Sequence, residues 1–354
     1  MTFANRIGSV TARRLISHFG SPEAVFKETK KSMVSQGILS SLVASSLFSK
    51  EIFKQAEKEI EFARRYSIDI LFIDDEDYPF RLRQCPDAPI ILYKKGVAGL
   101  NPVKSVGIVG TRRATLYGKE KTSELIAGMR GDPVQIVSGL AYGIDTAAHK
   151  GALEYGFETI AVLGTGLNLM YPADNKMLAT QICKHGALVT EFNSQLTPEK
   201  ENFPRRNRII AGMSDAVLVM EAGKRGGALI TAELGNSYNR DVFALPGRVG
   251  DTYSEGCNWL IKINKAAMIT STADLYYSMN WDLPNEKKSA KQAQLILTAD
   301  EEKVFRLLVE NGECSFDFIC NSTDYTLSKV AGILLSMEMS GVIKSLPGKM
   351  YRQA

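Results

Sequence analysis

Six short and nearly uninterrupted apolar runs recur between positions 103 and 269, and stretches of helical character separate them. They are Val106–Val109, Val134–Val137, Thr159–Leu163, Ala187–Val189, Ala216–Met220 and Val242–Leu245. Because the runs do not alternate with polar residues, each strand is expected to be buried on both faces, which requires crossover helices. The pattern predicts an α/β fold: a doubly wound, extended Rossmann-like, mostly parallel sheet. Right-handed crossovers bring the carboxyl ends of its strands to one edge.

The chain is long enough for more than one domain. Its 354 residues exceed the size of one ordinary hydrophobic core. Residues 1–65 predict a helical domain, in which Ile7-Gly8-Ser9-Val10 resembles half of a helix-hairpin-helix or SAM-like unit. A small bundle that only packs or mediates contacts is an equally good interpretation.

The α/β domain is expected to cover residues 66–282. Asp69–Ile73 and Pro89–Tyr93 are strand-like, and Lys94-Lys95-Gly96 is predicted to end the second of them. These two strands are expected to extend the sheet at one edge.

The last part of the chain predicts a winged helix. The polar stretch 283–296 predicts a linker, and residues 297–354 contain two helices, Ala299–Glu310 and Thr326–Met339, followed by a hairpin. The second helix carries a single cation, Lys329, which is poor for phosphate contacts. A protein-contact or regulatory role is therefore favoured for this domain.

Charge and cysteine content narrow the class of protein. A net charge of +4 is small for this length, so a basic site has to arise from local clustering. The 5 cysteines are scattered, and the chain shows neither a signal-like start nor an apolar run of bilayer length. These features predict a cytoplasmic protein with reduced thiols and no membrane contact. No Cys-x-x-Cys or His-x-x-His pair is present, so no metal site is expected.

Glycine-rich turns follow nearly every predicted strand. Several glycines at the carboxyl edge of a parallel sheet indicate close backbone approach by an anionic ligand, with amides and helix N-termini directed at its oxygens. The turn residues predicted to bind phosphate are Gly110, Thr111, Arg112, Gly139, Gly143, Gly164, Gly226 and Gly227. The basic residues expected on or near the same edge are Arg112, Lys200, Arg205, Arg208 and Lys224.

The stretch Asn202–Gly212 carries the strongest single signal. It places arginines and an asparagine between a loop and an apolar helix start. Arginines at a helix N-terminus oppose the helix dipole, which favours an external anion over a merely solvated helix end. Guanidinium groups can bridge phosphates, and an aromatic ring can stack on a base. The residues predicted to do so are Phe203, Arg205, Asn207 and Arg208.

Asp145 and His149 are four residues apart and are expected to face each other on the first turn of a helix. One interpretation is an acid–base pair. The favoured one is structural: Asp145 caps the helix and orients His149 as part of the loop scaffold.

Taken in order, these strings resemble the DNA-processing protein A family, also called DprA or Smf. The resemblance rests on Gly107-Ile108-Val109-Gly110-Thr111-Arg112, Ser138-Gly139-Leu140-Ala141-Tyr142-Gly143-Ile144-Asp145, Ala148-His149, Tyr171-Pro172, Glu191, Phe203–Gly212, Glu221-Ala222, Leu229-Ile230-Thr231-Ala232 and Phe243-Ala244-Leu245-Pro246-Gly247. It covers nearly all of residues 103–269, and the helical and winged-helix ends also fit family architectures.

The resemblance implies a non-enzymatic mediator of recombination that binds single-stranded DNA. Such proteins hold incoming DNA during natural transformation, load the RecA recombinase on it, and usually form homodimers through the Rossmann-like domain. By position, Arg112 and Lys200 correspond to backbone-binding cations, Arg205 and Arg208 are expected to line the same pocket, and Glu191 belongs to its scaffold.

Two departures from the family pattern affect the expected site. Many members have lysine after the Tyr-Pro pair, whereas this chain has Ala173, and Lys176 is the expected substitute. Many have Ser-Gly-Ser before Leu-Ile-Thr, whereas this chain has Gly226-Gly227-Ala228, which leaves main-chain amides as donors.

Two enzyme classes compete with this interpretation. Gly226–Glu233 loosely resembles the signature of phosphoribohydrolases that cleave nucleoside monophosphates, with Glu233 as the catalytic residue and Arg112 on the phosphate. A dinucleotide-dependent enzyme is disfavoured because Gly107–Arg112 is not a Gly-x-Gly-x-x-Gly motif that opens a helix. No cofactor is therefore expected.

Overall fold

The computed structural model describes residues 1–4, 6–197, 199–283, 297–340, 342–346 and 349–353. Internal contacts divide the chain into two compact units, 1–285 and 286–354. Apart from Leu283, the predicted linker 283–296 lies outside the described residues. A separate helical domain ending at residue 65 remains a prediction.

The chain begins with short helices. They are α1 (Ser9–Phe19), α2 (Pro22–Lys27), α3 (Lys30–Ser35), α4 (Ser41–Leu47) and α5 (Lys50–Arg65). Hydroxyl side chains of Ser21, Thr29, Ser40 and Ser49 accept a backbone N–H at the starts of α2 to α5, which explains why the chain restarts a helix at each of these points. Their apolar faces pack around Leu15, Met33 and Leu47. The helical prediction is confirmed, while the helix-hairpin-helix assignment stays a prediction.

A nine-stranded sheet follows in the first unit. Its strands are β1 (Asp69–Phe72), β2 (Ile91–Gly96), β3 (Lys104–Val109), β4 (Val134–Ser138), β5 (Thr159–Val162), β6 (Ala187–Thr190), β7 (Ala216–Val219), β8 (Asp241–Ala244) and β9 (Ala267–Met268). Their order is β1-β2-β6-β5-β4-β3-β7-β8-β9. All pairs from β6 to β9 are parallel, and β1 and β2 are antiparallel additions at one edge. The six predicted strands and the doubly wound fold are confirmed.

Helices cover both faces of this sheet. They are α6 (Phe80–Arg83), α7 (Leu116–Gly128), α8 (Ile144–Glu154), α9 (Lys176–His185), α10 (Asn202–Met213), α11 (Gly227–Ser237), α12 (Glu255–Lys262) and α13 (Thr272–Ser278). One core packs Ile209, Val217 and Leu260, and the other packs Ile108, Ile126 and Leu275. Strands β4, β5 and β6 lie on one side of β3 in the sheet, and strands β7, β8 and β9 lie on its other side. The switch point therefore lies between β3 and β7.

Strand β2 differs from its predicted bounds. It was expected over Pro89–Tyr93 with an end at Lys94-Lys95-Gly96, but it spans Ile91–Gly96. The pairing explains the shift, because Lys94 and Gly96 lie opposite Val189 and Ala187 of β6. The Lys94 ammonium group also lies 3.2 Å from the Asp69 carboxylate on β1.

The second unit is a winged helix. It contains α14 (Ala299–Asn311), β10 (Cys314–Ser315), α15 (Phe316–Thr323), α16 (Leu327–Met339), β11 (Ile343–Leu346) and β12 (Met350–Gln353), with sheet order β10-β12-β11. On α16, Lys329 forms a 2.8 Å ion pair with Asp300, so the one cation of this helix is neutralised within the unit. Among the described helices, none has both the length and the apolar character needed to cross a membrane.

Candidate nucleic-acid interface

A cleft of about 470 Å³ opens at the switch point, where the loops after β3 and β7 meet. The loops are tied together by the Thr111 N–H, which donates to the Glu221 carbonyl at 2.7 Å. The buried Glu221 carboxylate accepts two more bonds from Thr115, the residue before α7. We call this opening the switch-point cleft; the residues used below that line it are Gly110, Thr111, Arg112, Asp145, Tyr171, Lys200, Phe203, Arg206, Asn207, Gly226 and Gly227.

Two exposed cations and an aromatic ring lie at the mouth of the switch-point cleft. The Arg112 guanidinium lies over the Phe203 ring, 5.2 Å from its centroid. Tyr171 extends the aromatic surface, with its ring centroid 5.4 Å from that of Phe203. Lys200 is exposed. Within the described parts of the chain, neither Arg112 nor Lys200 forms a salt bridge or a side-chain hydrogen bond, so both can bind an external anion.

The floor of the cleft is formed by Arg206, which is only 4% exposed. Its guanidinium donates to the carbonyls of Gly139 and Val162, just after β4 and at the end of β5. A further bond of 3.2 Å joins its Nε to Asn207 Oδ1. Burial lowers the pKa of Arg206 to about 10, so it stays charged at neutral pH. The sequence prediction did not single out Arg206, although its spacing from the buried Ile209, Ile210 and Met213 fits one helix face.

Asp145 lies beside Arg206 and holds the same loop. Its carboxylate accepts backbone hydrogen bonds from Gly139 and Ala141, the latter at 3.3 Å. Burial raises the pKa of this carboxyl, and the positive charge of Arg206 opposes that shift. Asp145 is therefore a loop anchor within the helix rather than its N-cap, a position that Gly143 occupies.

His149 does not pair with Asp145, so that part of the prediction is wrong. Its Nδ1 lies 2.7 Å from Thr159 Oγ1, and this hydroxyl already donates to the Ile136 carbonyl. Nδ1 is thus the donor, and Nε2 is buried without a partner among the described residues. Burial lowers the pKa of His149 to about 3, which keeps the ring neutral. A neutral, enclosed imidazole is a core residue and not a general base for the cleft.

Arg208 was expected to line the pocket, and the structure places it elsewhere. Its guanidinium forms a 2.5 Å ion pair with Glu191 and donates to the Asp87 carbonyl. Its side chain is 11% exposed and that of Glu191 is 6% exposed, so the pair is largely shielded from solvent. Arg205 remains 56% exposed, 3.9 Å from Glu191 and over the Phe192 ring, outside the cleft lining.

Packing explains four of the predicted glycines. A side chain at Gly110 would collide with Ile144, at Gly139 with Arg206, and at Gly164 with Phe203. Gly143 has a φ of +78°, and a Cβ there would meet the backbone of Thr111 and Arg112. These glycines make room for the protein itself. Gly227, by contrast, faces open space at the start of α11, where its amide can meet an anion. The Gly226 N–H, which was also predicted to bind phosphate, already donates to the Gly223 carbonyl at 3.0 Å.

The remaining predicted residues fall in two groups. Asn207 lies in the cleft and donates to the Gly227 carbonyl at 3.4 Å. Lys176 and Lys224 are exposed but do not line the cleft. Glu233, the candidate catalyst of the enzyme alternative, also lies outside the lining and forms 2.6 and 2.7 Å bonds to Lys265.

Two family models match the chain. The model described as DNA recombination-mediator protein A covers residues 69–280, and the DprA winged helix domain covers residues 288–349. The chain belongs to the DprA/Smf family. This confirms the resemblance that the motifs had indicated.

Relatives and solved structures agree with this membership. The protein Smf of Synechocystis is 32% identical, over 98% of this chain and 96% of its own length. The X-ray structure of DprA from Streptococcus pneumoniae matches with a TM-score of 0.66 at 32% identity, over 78% of this chain and 95% of that one. A structure of DNA processing protein A from Helicobacter pylori, described as having a single-stranded DNA binding mode, matches with a TM-score of 0.55 at 29% identity, over 61% of this chain and 96% of that one.

Proposed function

We propose that this DprA family member binds single-stranded DNA in the switch-point cleft and acts as a non-enzymatic recombination mediator. The observation that carries the proposal is that Arg112 and Lys200 form no salt bridge within the described residues and lie at the cleft with the half-buried ring of Phe203. Cations that track a backbone next to a stacking ring are typical of proteins that hold single strands without reading their sequence. The single-stranded DNA binding mode described for the Helicobacter pylori relative supports the same ligand.

Each side of the cleft has a proposed task. Arg112 and Lys200 contact phosphates, Phe203 stacks on a base, and the amide of Gly227 binds a further phosphate at the start of α11. Arg206 and Asp145 shape the floor. A duplex cannot present its bases to Phe203, so single strands are expected to bind more tightly than duplex.

The role of the protein in the cell is proposed from its membership of the DprA/Smf family. We propose that the protein protects incoming single strands during natural transformation, loads RecA on them and works as a homodimer through the Rossmann-like region. Arg205, which is exposed beside the cleft, is available to extend the DNA path.

The proposal is tested by anisotropy titrations of the full chain with labelled oligo-dT and with a duplex of equal length, across salt. We expect tighter binding of the single strand and a linear fall of log K with log salt, of slope about −0.7 per phosphate contact. Binding of oligo-dT that is no tighter than binding of duplex, or that is insensitive to salt, would contradict the proposal.

The phosphoribohydrolase alternative is tested by assaying base release from nucleoside monophosphates. No release above the buffer rate is expected, because Glu233 is bonded to Lys265 outside the cleft. Turnover that disappears in Glu233→Gln would establish the enzyme instead.

A further inference from the structure

The loop that carries Lys200 is anchored outside the α/β sheet, on helix α5. The Glu59 carboxylate accepts the Ser194 N–H at 2.9 Å (Oε1) and 3.0 Å (Oε2), and Ser194 Oγ donates to Oε2 at 2.6 Å. One helical turn earlier, the Gln55 carbonyl accepts a 2.8 Å bond from the Gln195 side chain. Two successive loop residues are thus bound to two successive turns of one helix.

The cost of this anchor indicates that it has a specific task. Glu59 is 3% exposed, and an apolar cluster of Ala63, Ile68 and Tyr93 lies along the same helix face. Burying a carboxylate is unfavourable unless hydrogen bonds replace its water. An apolar side chain at position 59 would fill the contact between α5 and the loop with a smaller desolvation penalty. Only an acceptor, however, can fix the backbone and hydroxyl of Ser194 in one place.

Lys200 lies on a segment that is held by hydrogen bonds on both sides. Upstream, the loop is held at Ser194 and tightened by bonds from Gln195 N–H and Leu196 N–H to Asn193. Downstream it is held where the Lys200 carbonyl accepts the Phe203 N–H at 3.3 Å, at the start of α10. In the described part of the chain, no salt bridge or hydrogen bond holds the Lys200 ammonium group itself. The bonds at residues 193–196 and 199–203 therefore restrict the backbone on either side of Lys200.

We propose that Glu59 is a positioning residue for the DNA site: by fixing Ser194, it presents Lys200 to the switch-point cleft. The helical region 1–65 then contributes to DNA affinity without touching the DNA. The inference rests on the proposed single-stranded DNA binding. It assigns to Glu59 a role that neither the glycine turns nor the arginine motif contains.

The test compares Glu59→Gln with the matched control Glu61→Gln, which makes the same charge change on the exposed face of α5. Glutamine keeps the size of the side chain but cannot accept all three bonds from Ser194. We expect Glu59→Gln to weaken oligo-dT binding roughly three- to tenfold, as when one charge-assisted contact is lost, and to reduce the salt slope by about 0.7. Glu61→Gln is expected to bind like wild type.

A double-mutant cycle separates positioning from general damage. If Glu59 acts through Lys200, adding Glu59→Gln to Lys200→Ala lowers affinity by less than about twofold further, because the contact is already gone. Hydrogen exchange of residues 192–197 and 199–201 is expected to rise in Glu59→Gln while exchange in β3, β4, β5 and β7 is unchanged. Ser194→Ala, which removes one bond and keeps the carboxylate, provides a milder variant and is expected to change affinity in the same direction.

The outcomes are distinguishable. Additive losses in the cycle, or unchanged affinity in both Glu59→Gln and Ser194→Ala, would overturn the positioning role while leaving DNA binding intact. Failure of the wild-type protein to bind oligo-dT would overturn the proposed function and this inference with it.

Discussion

The mouth and the floor of the switch-point cleft contain the same residue type in opposite physical states. Arg112 at the mouth is exposed and forms no salt bridge with any described residue, whereas Arg206 on the floor is buried and donates to carbonyls just after β4 and at the end of β5. Arg208, two residues further along the helix, is buried against Glu191. Arginines in and around one cleft thus divide into those that can bind a ligand and those that hold the loops in place. Charge alone does not make a binding residue, because the charge must also be unpaired.

The largest expected effect is on folding stability, when Arg206 on the floor of the switch-point cleft is replaced. Arg206→Ala is expected to lower the free energy of unfolding by about 3–5 kcal/mol, because it leaves buried carbonyls and Asp145 without their cationic partner. Urea unfolding measures this. Arg113→Ala, an exposed control on the loop after β3, is expected to change stability by less than about 0.5 kcal/mol. A loss of less than about 1 kcal/mol of unfolding free energy in Arg206→Ala would contradict the structural role assigned to the buried arginine.

The next effect concerns pH. The pKa of His149 is lowered by burial to about 3, so the unfolded chain binds a proton below about pH 6.5 that the folded chain does not. Stability is therefore lost as pH falls from about 6.5 toward 3, by up to about 1.4 kcal/mol per pH unit. Urea unfolding of His149→Gln between pH 7 and 5 should lack this contribution. The exposed control His185→Gln should keep the wild-type slope, and identical slopes in all three proteins would contradict the assignment.

At the mouth, the expected effect is on binding and not on folding. Arg112→Ala is expected to weaken oligo-dT binding by about 1–3 kcal/mol, as when a charge-assisted contact is lost, with unfolding unchanged. Anisotropy across salt measures the loss, and Arg113→Ala again provides the control. Equal affinity in Arg112→Ala and wild type would exclude Arg112 from the site.

The smallest effect sharpens the boundary of the site. Lys176 was predicted to replace the lysine missing at Ala173, but it is exposed and does not line the cleft. Lys176→Ala is therefore expected to cost less than about 0.5 kcal/mol of binding at physiological salt, where distant charges are screened. A loss as large as that of Arg112→Ala, measured in the same titration, would extend the DNA path to α9.

Periodicity predicted the sheet well because buried parallel strands are continuously apolar. Strand β9, with two residues, is too short to produce such a signal. The bounds of β2 depended on pairing with β6, which is distant in sequence.

The site was harder to predict because a cationic side chain can bind a ligand only if no residue distant in sequence already pairs with it. Spacing could have placed Arg206 on the buried face of α10, but nothing local to Arg208 reveals that Glu191 and Asp87 bind it. In the same way, the partner of His149 is Thr159 on another strand. The role of Glu59 could not be predicted from a local motif, because its bonds to Ser194 join residues 135 positions apart.

The ring of Phe203 has a practical consequence for spectroscopy. The chain contains 2 tryptophans, Trp259 and Trp281, and neither lines the switch-point cleft. The cleft therefore contributes little to the intrinsic emission of the protein. Phe203→Trp would place a fluorophore beneath Arg112, where a stacked base would quench it. Binding of unlabelled DNA in the cleft could then be followed in real time through the fluorescence of the protein.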